Sequence, residues 1–152
     1  YQFDMVRLGI GLYGVDDRQP LENVTTLRTT VSQVKQVPAG ESVGYSRRAV
    51  MERDSSIATV RIGYADGYSR AFSNGVGEVL VNGKRAPVIG NVCMDMTMVD
   101  LTGIDANEGA EVIVFGHGLS VDELAAKIRT IPYEILTNTS ERVKRVFVTE
   151  SI

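Results

Sequence analysis

Val79-Leu80-Val81-Asn82-Gly83-Lys84-Arg85-Ala86-Pro87-Val88-Ile89 reads as a β-hairpin. Two apolar arms flank Asn82-Gly83, a pair suited to a type I′ turn because both of its central residues need positive φ. Outward from this hairpin the same signature recurs. Ile57 to Ile62 and Glu111 to Phe115 are short apolar runs, and Thr25 to Val37 is rich in the Thr and Val that favour strands. Val92 to Leu101 alternates as a strand with one face inward. Val143 to Val148 reads as a last strand, and residues 5–13 as a short buried strand entering a glycine-rich turn. Asp16 to Pro20 is polar turn material. The stretch 38–56 is polar with little periodicity, a long loop of the kind that is often functional. One helix is clear: Ser120-Val121-Asp122-Glu123 forms a capping box ahead of Leu124, Ala125 and Ile128. A second short helix starts near Pro132, since proline fits the first helical position. Many short strands with one or two late helices give a mainly β protein, a barrel or a sandwich.

The bulk numbers fit one soluble core. The chain has 152 residues, 43% hydrophobic and 23% charged, with net charge −3. No global basic field argues for nucleic acid or an anionic membrane. No apolar stretch approaches the roughly 20 residues that span a bilayer, and no signal-peptide pattern opens the chain. The single cysteine, Cys93, has no internal disulfide partner and suits a reducing compartment. Cytoplasmic localisation is the expectation. The opening, Tyr1 to Leu12, runs apolar as if mid-domain, which reads as a piece cut from something longer.

Four constellations carry candidate chemistry. Val43-Gly44-Tyr45-Ser46-Arg47-Arg48 places a phenol beside two cations in the long loop. A tyrosine titrates near pH ~10 and becomes a useful base only where cations stabilise the phenolate; otherwise Tyr45 is an aromatic loop anchor. Ile62-Gly63-Tyr64-Ala65-Asp66-Gly67-Tyr68 leaves a strand into a turn, where glycines let a ring and backbone approach a ligand. Asp66-Gly67 also reads as a plain turn. Asn91-Val92-Cys93-Met94-Asp95-Met96 offers a backbone amide and a carboxylate to one small ligand. Alternatively its methionines fill core, while Asp95 needs a partner among apolar neighbours. Arg7-Leu8-Gly9-Ile10-Gly11 offers free backbone amides to a phosphate. His117, in Gly116-His117-Gly118, reads as a turn residue, and with Cys93 it completes no zinc set. No metal site is expected.

Taken in order, these segments resemble alanine racemases, fold-type III enzymes dependent on pyridoxal 5′-phosphate. Gly63-Tyr64-Ala65-Asp66-Gly67 and Cys93-Met94-Asp95 are the specific signatures. Val43-Gly44-Tyr45, Arg7-Leu8-Gly9-Ile10-Gly11-Leu12-Tyr13-Gly14, and Pro132-Tyr133-Glu134-Ile135 with Arg142-Val143 agree in order and approximate spacing. The resemblance implies the Greek-key-like β-barrel domain that follows an N-terminal TIM-like barrel, with residues 1–14 the tail of that barrel and 15–152 the β-domain. It implies Tyr45 as a catalytic base, Arg7 on the pyridine nitrogen, and Gly9, Ile10 and Tyr133 at the cofactor phosphate. Tyr64, Met94 and Asp95 are implied on the substrate side, contributed by the partner subunit. The family often has glycine after the catalytic tyrosine and an aromatic residue four positions later, where this chain has Ser46 and Ala49.

The implied reaction interconverts L- and D-alanine, a supply of D-alanine for cell-wall peptidoglycan. Two bases on opposite faces of the substrate, a lysine and a tyrosine, take and return the α-proton. A tyrosine supplied by a partner makes the site composite, so a homodimer is expected. The lysine that binds the cofactor is expected in the missing barrel. Lys35 and Lys144 lie in strand patterns, Lys84 follows the Asn-Gly turn and Lys127 lies on the helix, whereas a covalent anchor needs a desolvated, supported site. The chain alone is therefore expected neither to hold the cofactor tightly nor to racemise alanine. Two other enzyme readings are the β-domain of a related fold-type III amino-acid decarboxylase and a racemase for another small amino acid such as serine. A third reading is a small β-barrel interaction module, for which Tyr45 would not matter.

Overall fold

The computed structural model describes residues 4–15, 21–47 and 49–148. The turn expected at Asp16 to Pro20 and the cation Arg48 lie outside the described residues, as do the first three residues of the chain.

The hairpin forms as the sequence indicates. β5 (Glu78–Val81) and β6 (Lys84–Ile89) pair antiparallel with Val81 opposite Lys84. Asn82 and Gly83 take φ of 49° and 74°, the left-handed pair that a type I′ turn demands. Four further strands complete the sheet: β1 (Leu27–Val37), β4 (Ser55–Val60), β7 (Thr97–Asp100) and β8 (Glu111–Phe115). They close in the order β1-β4-β7-β6-β5-β8, with every neighbouring pair antiparallel, and β8 returns to β1. A closed barrel leaves no free edge among these strands. Its inside is filled chiefly by valine: Val60, Val79, Val81, Val88, Val99 and Val112 are each fully buried. Burying one such side chain contributes on the order of 1.5 kcal/mol or more.

The polar stretch 38–56 is not one loop. It carries a separate two-stranded ribbon, β2 (Ser42–Val43) with β3 (Ala49–Val50), and β4 already begins at Ser55. Val43, Met51, Ile57 and Met98 form a second apolar cluster that roots the ribbon on the barrel.

The strand expected over Val92 to Leu101 forms only from Thr97 to Asp100, as β7, and two other expected strands are absent. Residues 92–96 do not pair in the sheet, because the carbonyls of Cys93 and Met94 accept from the amides of Tyr64 and Ala65 instead. Residues 5–9 have no regular structure and Ile10–Tyr13 is a single 3₁₀ turn. Met5, Val6 and Leu8 stand 77%, 74% and 70% exposed, so no core draws them into a buried strand. Val143 to Val148 is likewise irregular, with Val146, Phe147 and Val148 exposed.

Both helices lie where expected. α1 (Val121–Lys127) is capped by the Ser120 hydroxyl, which accepts from the Glu123 amide at 3.2 Å. Glu123 turns its carboxylate to Arg85, whose Nη2 donates to Oε2 at 2.9 Å, tying the helix to the hairpin. That guanidinium holds the Glu123 carboxyl below the usual carboxylate range. α2 (Pro132–Thr137) packs on α1 and buries Ile135.

Candidate active site

Three loops on the barrel converge on one cleft of ≈ 330 Å³, lined by Tyr45, Tyr64, Arg70, Asn91, Val92, Cys93 and Met94. Each loop is held differently.

Tyr45 sits at the tip of the β2–β3 ribbon and is 75% exposed. The tip is built on left-handed backbone: Gly44, Ser46 and Arg47 have φ of 82°, 67° and 51°. The Arg47 amide donates to the Gly44 carbonyl at 3.3 Å, closing a tight turn that throws the phenol outward. Arg47 is exposed.

Tyr64 opens a 3₁₀ turn, Tyr64–Asp66, directly after β4. Asp66 braces this turn by accepting the Gly63 amide on Oδ2 at 2.9 Å. Met94 lies on the neighbouring loop, 91–96. The two loops are backed onto each other: the Tyr64 and Ala65 amides donate to the Cys93 and Met94 carbonyls at 3.0 Å each. A Cβ at Gly63 would meet both carbonyl oxygens at 2.3 Å, so this approach tolerates only glycine. The rest of the wall follows from Ser73. Its hydroxyl accepts from the Val92 amide at 3.0 Å and donates to the carbonyl of Arg70 at 2.6 Å. Asn74 donates to the Asn91 side chain at 3.2 Å.

Asp95, next to Met94 in sequence, does not line the cleft. Its carboxylate accepts from Arg142 Nη2 at 2.6 Å, and Arg142 Nε also pairs with Asp66 at 2.9 Å. The partner expected of Asp95 is thus a cation from beyond α2.

The expected phosphate contacts gather elsewhere. A Cβ on Gly9 would stand 3.4 Å from the Tyr133 hydroxyl, so the glycine backbone and that phenol are neighbours. Ile10 packs partly buried against the main core, which fixes the segment. Arg7 is exposed on the same segment. His117 is exposed between Gly116 and Leu119, which exchange backbone hydrogen bonds across it. Lys35, Lys84, Lys127 and Lys144 are all exposed, and Lys127 pairs with Glu78 at 3.4 Å. Among the described residues no group of three or more His, Cys, Asp or Glu side chains is placed to hold a metal. No helix among them is long and apolar enough to cross a membrane.

A family model described as the alanine racemase C-terminal domain matches residues 24–147. The chain belongs to that family. It is 45% identical over 153 residues to the alanine racemase of Desulfovibrio desulfuricans, covering 95% of this chain and 41% of that protein. It is 42% identical over 156 residues to alanine racemase 2 of Caldanaerobacter subterraneus subsp. tengcongensis, covering 95% and 40%. Its fold is similar to that of the Streptomyces coelicolor A3(2) alanine racemase (TM-score 0.89, 39% identity, 97% of this chain and 42% of that one). It is also similar to the Bartonella henselae alanine racemase with covalently bound pyridoxal phosphate (TM-score 0.86, 37% identity, 92% and 40%). The chain spans about two-fifths of the length of the curated relatives it matches.

Within this racemase C-terminal domain, the departure at position 46 now has a geometry. Ser46 holds a left-handed φ, the conformation in which glycine is least strained. Two features were missed from sequence. Arg70 lies in no recognisable pattern, because its place on the wall depends on the Ser69–Ser73 turn. The dual pairing of Arg142 was also missed, since nothing in Arg142-Val143 names partners 47 and 76 positions earlier.

Proposed function

We propose that this chain is the C-terminal part of a pyridoxal-phosphate-dependent alanine racemase, a cytoplasmic homodimer that interconverts L- and D-alanine. Supply of D-alanine for peptidoglycan is its expected role. The observation that carries this reading is the convergence of Tyr45, Tyr64 and Met94, from three separate segments, on one cleft.

Bound pyridoxal phosphate supplies the electron sink that acidifies the α-C–H of the amino acid. The residues present fit such a group: a glycine backbone beside the Tyr133 hydroxyl gives a phosphate an unobstructed approach and a donor. Arg7, Gly9, Ile10 and Tyr133 would hold it. A guanidinium only donates hydrogen bonds, so Arg7 would leave a facing pyridine nitrogen without a proton.

Tyr45 performs the proton step on one side. Its ring projects from the ribbon tip and is 75% exposed, which leaves it free to enter the site of a partner subunit. As phenolate it takes the α-proton; as phenol it returns one. Arg70 gives the same cleft a positive charge, which attracts an amino-acid carboxylate. Tyr64 and Met94 form the wall against which a small side chain packs. The second base and the covalent anchor belong to the N-terminal domain, consistent with four exposed lysines here.

Tyr45→Phe in the full-length protein tests the reading. Racemisation is expected to fall by about 10²- to 10⁴-fold, the usual worth of a positioned acid–base group. Turnover within about threefold of wild type, a change too small for a lost acid–base group, would sink it.

A further inference from the structure

We propose that Arg142 is a positioning residue for the cleft, setting the separation of the two loops that carry Tyr64 and Met94. It follows α2 in the chain and is not among the residues that line the cleft. Its guanidinium instead bridges two carboxylates, one from each loop. Nε pairs with Asp66 at 2.9 Å and Nη2 with Asp95 at 2.6 Å.

The two ends of this bridge are unequal. Asp66 is only 14% exposed in its side chain and is already committed to the Gly63 amide at 2.9 Å, with its carbonyl accepting the Ser140 amide at 3.1 Å. Asp95 is 51% exposed and is drawn in by Arg142. The planar guanidinium presents donors in a fixed fork, so binding both carboxylates fixes their separation. An ordinary exposed ion pair contributes little. This one differs because, without the cation, two anions remain close together on loops that are hydrogen-bonded back to back, and their repulsion acts to part them. The amides of Tyr64 and Ala65, which donate to Cys93 and Met94, report that separation directly. Arg145 holds the bridgehead in turn, donating to the carbonyls of Thr139, Ser140 and Val143.

Asp95 then serves the site through Arg142 rather than by touching substrate. The kinetic part of this inference rests on the racemase reading; the structural part does not. In the full-length protein, Arg142→Ala is expected to accelerate hydrogen exchange at the Tyr64 and Ala65 amides by about tenfold or more, with the β5–β6 amides unchanged. KM for alanine is expected to rise about tenfold while kcat falls less than about threefold, because Tyr45 stands on a different element. Arg142→Lys, which keeps the charge but not the fork, is expected to fall between the two. Adding Asp95→Asn to Arg142→Ala removes the repulsion and is expected to restore part of the amide protection. Wild-type exchange at both amides in Arg142→Ala would overturn the proposal. Should that variant not fold, Arg142→Lys is judged by the same criterion. A protein that loses amide protection but has no racemase activity even as wild type would defeat the functional reading while leaving the clamp standing.

Discussion

Gly9 and Tyr133, 124 positions apart, meet so closely that a first side-chain carbon on Gly9 would stand 3.4 Å from the phenolic oxygen. The contact joins the irregular N-terminal segment to the first turn of α2. The proposed phosphate site rests on that backbone and that hydroxyl standing side by side. In the full-length protein, Tyr133→Phe is expected to weaken pyridoxal phosphate binding by about 10- to 100-fold, the worth of one hydrogen bond to a charged group. Titration of the apo-protein checks it, and an unchanged affinity would remove Tyr133 from the phosphate site.

Position 46 is the next test. Ser46 holds φ 67° and ψ 14° in the turn that presents Tyr45. Ser46→Gly relieves that strain but loosens the unfolded chain, two opposing effects of about 1 kcal/mol or less, so stability should barely move. Ser46→Val cannot adopt this backbone without cost, and about 1–2 kcal/mol should be lost. The same variant should lower turnover, because the phenol is carried by that turn. Thermal unfolding with steady-state kinetics on the full-length protein separates the two effects. A valine variant as stable and active as wild type would show that the turn does not position the ring.

The success at Asn82-Gly83 and the failure at residues 92–96 have one explanation. A type I′ turn is set by the φ of two adjacent residues, so its signal is local and the hairpin could be read directly. Alternation at 92–96 is equally local, but the partner for those carbonyls is the Tyr64 turn, which no window around Val92 contains. Val143 to Val148 failed for a related reason: strand propensity without a neighbouring strand to pair with does not make a strand. The cleft was legible to the extent that its residues formed contiguous motifs. Tyr45, Tyr64 and Met94, which line it, lie in such motifs, whereas Arg70 and the Asp66–Arg142–Asp95 bridge depend on how separate loops close on each other.

Two glycines that both hold positive φ should respond very differently to alanine. Gly83, at φ 74°, has open space around an added Cβ, so Gly83→Ala should cost only about 1 kcal/mol of left-handed strain. Gly67, at φ 109°, would place that carbon 2.4 Å from the Asn138 carbonyl oxygen, a backbone atom that cannot swing aside. Gly67→Ala must push the segment after α2 away and should cost about 3 kcal/mol or more. For a domain of this size that is a drop in Tm of roughly 6–12 °C against roughly 2–4 °C for Gly83→Ala. Equal melting temperatures would contradict the close packing of residues 138–139 on the Tyr64 turn.

Tyr68 provides the last prediction, one of pH. Its ring stacks on Phe72 at 4.6 Å and its hydroxyl donates to the Glu78 carbonyl at 3.3 Å. Burial, and secondarily the charge of Glu78, push its ionisation well above the ordinary tyrosine range. In the unfolded chain the same phenol ionises near pH ~10. Above that pH the unfolded state releases a proton that the folded state keeps, so stability falls as pH rises, whereas below pH ~10 Tyr68 contributes no slope. Tyr68→Phe removes the titrating group. At pH 8 it should cost about 1 kcal/mol or less, since a single long hydrogen bond is lost. Its urea midpoint should then decline less steeply than that of wild type between pH ~9.5 and ~11. Parallel declines for the two proteins would show that the buried phenol does not govern alkaline unfolding.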